Sequence, residues 1–173
     1  REVLSVGELI NVFSIDDLNK ADAIVDINRL KWFNKQHFAK TDPSILSRQL
    51  VDSCKHISLE YAQSVIELMA SRVDSIPQLI QDCPYYFTDP VVEPVDSDFL
   101  RLFYGRLQLV DIFDKASIRL ILDKLQSTDM RVTSNNLHSL RRAISGQSTG
   151  APIAEIISAL GKITVLRRLQ AAI

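Results

Sequence analysis

The sequence predicts an all-α protein in two helical lobes, and three observations carry that expectation. Apolar residues recur at three- and four-residue spacings almost throughout, and no stretch sustains the two-residue alternation of a half-buried strand. Five glycines and six prolines in 173 residues are too few for a loop-rich or all-β chain. An acidic, proline-punctuated stretch at 89–95 breaks the helical pattern near the middle, where a linker between lobes would fall. A chain of this length can build one good core or two small lobes sharing an interface.

The helix starts can be read in order. Ser5, with Glu8 three residues on, forms a capping box, and Leu9, Ile10, Val12 and Phe13 give that helix its apolar side. Residues 15–27 are too interrupted for a long helix and read as turns or a bent connection. Asp26 or Asn28 caps a helix over 29–40, where Leu30, Phe33, His37 and Phe38 share a face. Trp32 is expected beside it as a packing anchor, and His37 as a satisfied core histidine. Asp42-Pro43 is an N-cap followed by proline at the first helical position, where the missing N–H costs nothing. Ile45, Leu46, Leu50 and Val51 follow at helical spacing. Ser58 opens a helix that buries Ala62, Val65, Ile66 and Met69 and places Arg72 on its last turn. Pro77 opens a short helix ending near Cys83. Pro84 to Phe87, together with 89–95, is expected to be linker, joining the lobes near residues 88–96.

Beyond it, Phe99, Leu102, Phe103, Leu107 and Val110 lie on one helix. Asp114 caps the next, which carries Ile118, Ile121, Leu122 and Leu125. Thr133 or Ser134 caps a helix reaching Arg141 and Arg142, with Leu140, Ala143 and Ile144 on one face. Gly146 and Gly150 bound a tight loop and suit φ > 0. Pro152 fits the first turn of a helix bearing Ile153, Ile156, Ile157 and Leu160, which Gly161 stops. Val165, Leu166, Leu169 and Ala172 form the last stripe, with Arg167 and Arg168 beside it. The expected units are 1–40, 41–95 and 96–173.

The net charge of −1 does not advertise nucleic-acid binding, but the charge is unevenly placed. Residues 81–98 hold five acids and no Lys or Arg, while 139–173 hold five bases and one acid. That asymmetry fits a basic face for a polyanion, and a helix N-terminus behind the 146–150 loop would add N–H donors. No apolar run is long enough to span a membrane. Cys54 and Cys83 are too few for a disulfide framework and fit a reduced compartment. The start at Arg1 suggests a piece of something longer. Gly146-Gln-Ser-Thr-Gly150 lacks the Lys-Ser/Thr and preceding strand of a phosphate-binding loop. Cys54 and His56 have no second pair at zinc-ligand spacing. His37, His56 and His138 are scattered, and Asp16/Asp17 and Asp96/Asp98 read as turn and cap residues. Nothing assembles a nucleophile, base and orienter, so the chain is expected not to be an enzyme on its own, with no metal or cofactor.

Two segments resemble bacterial-type glutamyl-tRNA synthetases. One runs Leu9-Ile-x-x-Phe13-Ser14 to Leu18-x-Lys20, then Asp26-x-x-x-Leu30-Lys31-Trp32-x-Asn34-x-x-His37. The other runs Leu140-Arg141-x-Ala143-Ile144-Ser145-Gly146, then Pro152, Glu155-Ile156, Leu160-Gly161-Lys162 and Arg168-Leu169. Leu68-Met69-x-x-Arg72-Val73-x-x-Ile76 and Tyr86-Phe87 match between them, in order, so the resemblance covers nearly the whole chain. It implies an all-helical, two-lobed anticodon-binding region (an α-helix cage) of a class I aminoacyl-tRNA synthetase. Residues 1–40 would be the end of a stem-contact region with its connecting helix.

The missing catalytic half would hold ATP and Mg, and the parent would be a monomeric glutamate–tRNA ligase of bacterial cytoplasm or mitochondrial matrix. The partner implied is a glutamate-specific tRNA, with glutamine tRNA as a second substrate in some members, and neither membrane nor DNA. By resemblance, Arg72 reads the third anticodon letter, favouring C over G, and Arg141 faces the other anticodon bases. Gly150, Ala151 and Ile153 form the corner on which flipped-out bases pack. The chain departs from the family there, with Gly150-Ala151-Pro152 in place of a more polar start, so Ser145, Gln147 and Thr149 are candidate substitutes. Arg142, Gln147, Lys162 and Arg168 are expected at the RNA backbone; losing Arg168 should then weaken all tRNAs alike and flatten the salt dependence. A rival of another class is a helical protein-interaction module that keeps this fold without binding RNA. Clustering of Arg72, Arg141 and Arg168 on one concave face would favour RNA binding, and their dispersal the interaction module.

Overall fold

Local capping chemistry sets most helix starts. A computed structural model describes residues 2–18, 24–95, 97–127 and 134–173. Among these the regular structure is wholly helical: α1 (Val6–Val12), α2 (Ile27–Lys40), α3 (Pro43–Ser53), α4 (Leu59–Met69), α5 (Ile76–Asp82), α6 (Asp98–Gln108), α7 (Lys115–Ser127), α8 (Ser134–Ser145), α9 (Ile153–Leu160) and α10 (Lys162–Ala172), with 3-10 turns at Ile15–Asp17 and Pro84–Tyr86. Ser5 and Glu8 close the expected capping box. Asp26, Asp42 and Ser58 accept from the first-turn N–H groups of α2, α3 and α4, and Asp114 does so for α7. Thr133, the Ser134 side chain and Asp96 lie outside the described residues, and with them the cap expected at Thr133 or Ser134 and the turn role of Asp96.

The helices form two groups that meet at α9. α3 packs along α4 and touches α5; α6, α7, α8 and α10 pack on one another; α9 contacts α4 on one side and α7 and α10 on the other. Its sequence, I-A-E-I-I-S-A-L, is apolar nearly all round, as a helix enclosed by others must be. Ala154, Ile156, Ile157 and Leu160 are buried in a contiguous core that also takes Leu50, Val65 and Ile66 from one group and Phe103, Ile118, Leu140 and Leu169 from the other. Burying each large aliphatic side chain contributes about 1.5–3 kcal/mol, so α9 holds the groups together largely by area. Positive φ occurs at Gly146, Gly150 and Gly161 (69°, 146° and 79°). Gly146 is doubly constrained, since a Cβ there would come within 2.9 Å of the Pro90 Cβ.

Several local expectations need correction. Pro84 to Phe87 is not linker: Tyr85 and Tyr86 are fully buried, and the irregular stretch begins only after them. Arg72 lies beyond the end of α4, in the turn closed by its own N–H on the Met69 carbonyl. His37 is exposed rather than a core residue, and its carbonyl accepts from Thr41. Trp32 is 43% exposed and packs edge-on against Phe33, a surface pair rather than a core anchor. The apolar side of α1 is likewise open, with Ile10 70% and Phe13 57% exposed; α2 buries Phe38 alone.

Candidate functional site

Charged side chains converge on the start of α9. Arg72 approaches from the α4 side. Its Nε donates to the Leu68 carbonyl at 3.2 Å, one of the carbonyls a helix C-terminus leaves unpaired. Its Nη2 lies 3.5 Å from Glu155 Oε2, and the side chain is 42% exposed. Nη1 makes no hydrogen bond among the described residues. Glu155, in the first turn of α9, is only 14% exposed, and Lys115 Nζ and Arg119 Nη2 (3.8 Å) face its other oxygen from α7. The Lys115 hydrogen bond, reinforced by the charges of Lys115, Arg72 and Arg119, holds the Glu155 carboxyl below its ordinary pKa. Three cations thus gather about one carboxylate. A cleft of about 470 Å³ lies between α4 and α9, lined in part by Ser71, Arg72, Lys115, Glu155 and Ser158, with Glu67 on its α4 side. That volume is within the range of small-ligand sites.

Arg141 reaches the same end of α9 one step earlier in the chain. Its Nη1 donates to the Ala151 carbonyl at 2.8 Å, and a Cβ on Gly150 would meet that Nη1 at 3.3 Å and the Tyr85 hydroxyl at 3.7 Å. The absent side chain at Gly150 therefore lets the guanidinium lie across the loop. Ala151 itself is buried, Ile153 is partly buried, and Gly150 is exposed. The corner can offer backbone and an aliphatic edge but little polar side-chain chemistry. Ser145 donates to the Arg141 carbonyl and is buried, so it supplies nothing outward; Thr149 is exposed. The buried hydroxyls of Tyr85 and Tyr86 meet no hydrogen-bond geometry with a partner among the described residues, and burial raises both pKa values far above the ordinary tyrosine range. Tyr61 donates to the Tyr86 carbonyl at 2.7 Å, and burial pushes its pKa up to about 12.

Three of the four expected backbone-phosphate contacts are bonded inside the protein. Arg168 is buried: Nε donates to Asp89 Oδ1 (3.0 Å), Nη1 to the Ile144 carbonyl (2.7 Å), and Nη2 to the Tyr85 and Thr88 carbonyls (2.7 and 3.1 Å). Lys162 donates its Nζ to the Gln108 and Val110 carbonyls at the end of α6 (2.9 and 2.6 Å). Gln147 donates its side-chain amide to the Asp82 carbonyl at 2.7 Å. Arg168 is buried and four of its five N–H donors already meet protein acceptors, which speaks against the phosphate contact expected of it. Arg142 is exposed and borders a groove of about 450 Å³ beside Val91–Val95. Arg167 pairs with Asp89, whose carboxyl is held below its ordinary pKa first by that hydrogen bond and then by Arg168. Arg72 and Arg141 both bond the 151–155 segment; Arg168 lies elsewhere, against the 84–89 stretch. Lys115 and Arg119 carry no signal in the sequence, and Glu155 stands there only as part of the terminal motif, without a role. A Lys and an Arg four apart in a capped helix are unremarkable, and only the fold brings them to Glu155.

Comparison with known proteins adds the following. A family model described as an anticodon binding domain matches residues 35–173. The glutamate–tRNA ligase of Chloroherpeton thalassium is 27% identical over 197 aligned residues, covering 100% of this chain and 39% of the relative. That of Pelodictyon phaeoclathratiforme is 29% identical, covering 98% of this chain and 38% of the relative. The chain thus spans about two-fifths of the length of the curated relatives it matches. Among solved structures, a glutamate tRNA ligase from Elizabethkingia meningosepticum superposes with a TM-score of 0.84 at 19% identity, covering 99% of this chain and 37% of that one. At that identity the likeness shows the fold alone.

Proposed function

The chain belongs to the anticodon-binding domain family, and from that premise we propose that it is the anticodon-reading region of a bacterial-type glutamate–tRNA ligase. Charging would be done by the rest of the parent chain, where ATP and Mg would bind. Residues 41–95 and 96–173 would be its two helical subdomains, with 1–40 leading in from a stem-contact region. The parent would act as a monomer in the bacterial cytoplasm. Nothing in the likenesses favours the rival protein-interaction module.

One observation carries the reading: a half-exposed arginine, Arg72, hydrogen-bonded through Nε and ion-paired at Nη2, at the rim of a cleft. A fixed guanidinium is a donor array without acceptors, so it suits the N3 and O2 acceptors of cytosine and opposes the N1–H and N2–H donors of guanine. Bases unstacked in a loop expose these edges. In this reading Arg72 takes the third anticodon letter. Arg141, with Gly150, the Ala151 backbone and Ile153, takes a neighbouring base, while Arg142 faces phosphates. Phosphate contacts hold the loop and base contacts specify it.

The test is fluorescence anisotropy of this chain with labelled RNA hairpins whose anticodon ends in C or in G, across a salt series. The C-ending hairpin should bind more tightly, and Arg72→Ala should reduce the difference by about 1–3 kcal/mol, on the scale of a single base contact. Equal binding of both hairpins by the unmutated chain would remove Arg72 from base reading.

A further inference from the structure

We infer that Glu155 is a positioning residue for base discrimination: it fixes the Arg72 guanidinium, while Lys115 and Arg119 secure its other oxygen. The inference rests on the anticodon-reading proposal and deepens it. A carboxylate that is 14% exposed must be paired to stay charged, and this one divides its two oxygens between two elements. Oε2 faces Arg72 across the α4–α9 junction, and Oε1 faces the two α7 cations. Its place in the first turn of α9 adds the helix N-terminal field, which also favours the anion.

The consequence lies in the geometry of Arg72. Anchored at Nε alone, on the Leu68 carbonyl, a half-exposed guanidinium can swivel and be captured by any nearby phosphate. The Glu155 carboxylate, ion-paired 3.5 Å from Nη2, is a second restraint that orients the plane, and Nη1 makes no hydrogen bond among the described residues. Reading a base edge requires donors held to within about 0.5 Å and 10–20°, which a single tether does not provide. Lys115 and Arg119 act one step back: they keep Glu155 charged and stop it from turning toward solvent. The arrangement also lowers the positive charge of the cleft, trading general attraction for RNA against selectivity at one base.

That trade makes the test decisive. Glu155→Gln removes a negative charge, so affinity for both hairpins should rise and its salt dependence steepen, while the preference for C over G falls by about tenfold. A simple packing defect would lower affinity and leave the preference, the opposite pattern. Glu155→Asp keeps the charge and shortens the reach, and should lose preference without the general gain; it serves if Glu155→Gln fails to fold by circular dichroism. In an Arg72→Ala background Glu155→Gln should cost no further preference, as expected for residues acting as one unit. An unchanged preference in Glu155→Gln and Glu155→Asp, beside a clear loss in Arg72→Ala, overturns the inference and leaves base reading intact. Absence of any preference in the unmutated chain sinks both.

Discussion

Replacing Arg168 with methionine would remove a buried cation and all its hydrogen bonds while keeping much of the side chain's apolar length. Three backbone carbonyls, those of Tyr85, Thr88 and Ile144, would lose their donor, and the first and last bonds are fully buried. Each buried acceptor left unpaired costs about 1–3 kcal/mol. Asp89 would lose one partner but keep Arg167, so the carboxylate is not stranded. Two buried orphans and a broken partly buried ion pair place the total near the 3–5 kcal/mol (roughly) typical of removing one member of a buried pair. In a chain of this size each kcal/mol moves the melting midpoint by about 2–4 °C, so the expected fall is about 6–20 °C. Arg168→Lys should recover little, because an ammonium on a flexible stem cannot serve acceptors spread around a planar fork. Differential scanning calorimetry with parallel urea titrations checks this. A midpoint within about 2 °C of the unmutated chain would refute the structural role, and a flattened salt dependence of RNA binding in the folded variant would restore Arg168 to the phosphates.

Two further outcomes follow from the same bonding pattern. Lys162→Met should uncap the end of α6 at Gln108 and Val110, lowering stability by about 1–3 kcal/mol while leaving the salt slope of hairpin binding unchanged; a shallower slope would mean that Lys162 meets RNA. Acid should weaken the fold through Asp89 and Glu155, whose folded-state pKa values are depressed by their cationic partners. Their contribution is complete above the unfolded values, near about 4, and is lost as pH falls through the lower folded values. Melting midpoints recorded from neutral to strongly acidic pH should therefore decline more gently in Asp89→Asn, and parallel declines would rule out that linkage.

What was legible in the sequence is what acts locally. Ser5 with Glu8, Asp26, Asp42-Pro43, Ser58 and Asp114 mark helix starts because a cap and the N–H groups it serves lie within three residues. The buried face of α4 follows from spacing in the same way. Part of the charge asymmetry is satisfied inside the fold. Acids around 82–98 and bases around 139–173 suggested a face waiting for an external polyanion, yet Arg167 and Arg168 bond Asp89 across 78 and 79 residues of sequence. Periodicity does not say which opposite charge a folded chain will bring to hand. Trp32 and His37 failed for a related reason: a helical stripe predicts a face, not that something covers it. Glu155 was visible as part of a motif, but its three cations come from α7 and the turn after α4, so its role needed the fold.

Besides Arg167 and Arg168 on Asp89, the Ala172 carbonyl accepts from the Val95 N–H, so α10 latches both ends of the 89–95 crossing. A charge-removal scan scored by RNA retention would register these basic positions as strong hits. If the proposed function holds, that signal would come from a misaligned platform, since the Arg167 and Arg168 side chains bond Asp89, Tyr85, Thr88 and Ile144 rather than lining the cleft at Arg72. Measured beside heat resistance, the same scan would sort its hits into two columns. Loss of grip with loss of melting temperature would mark the latch, and loss of grip alone would mark the fingers.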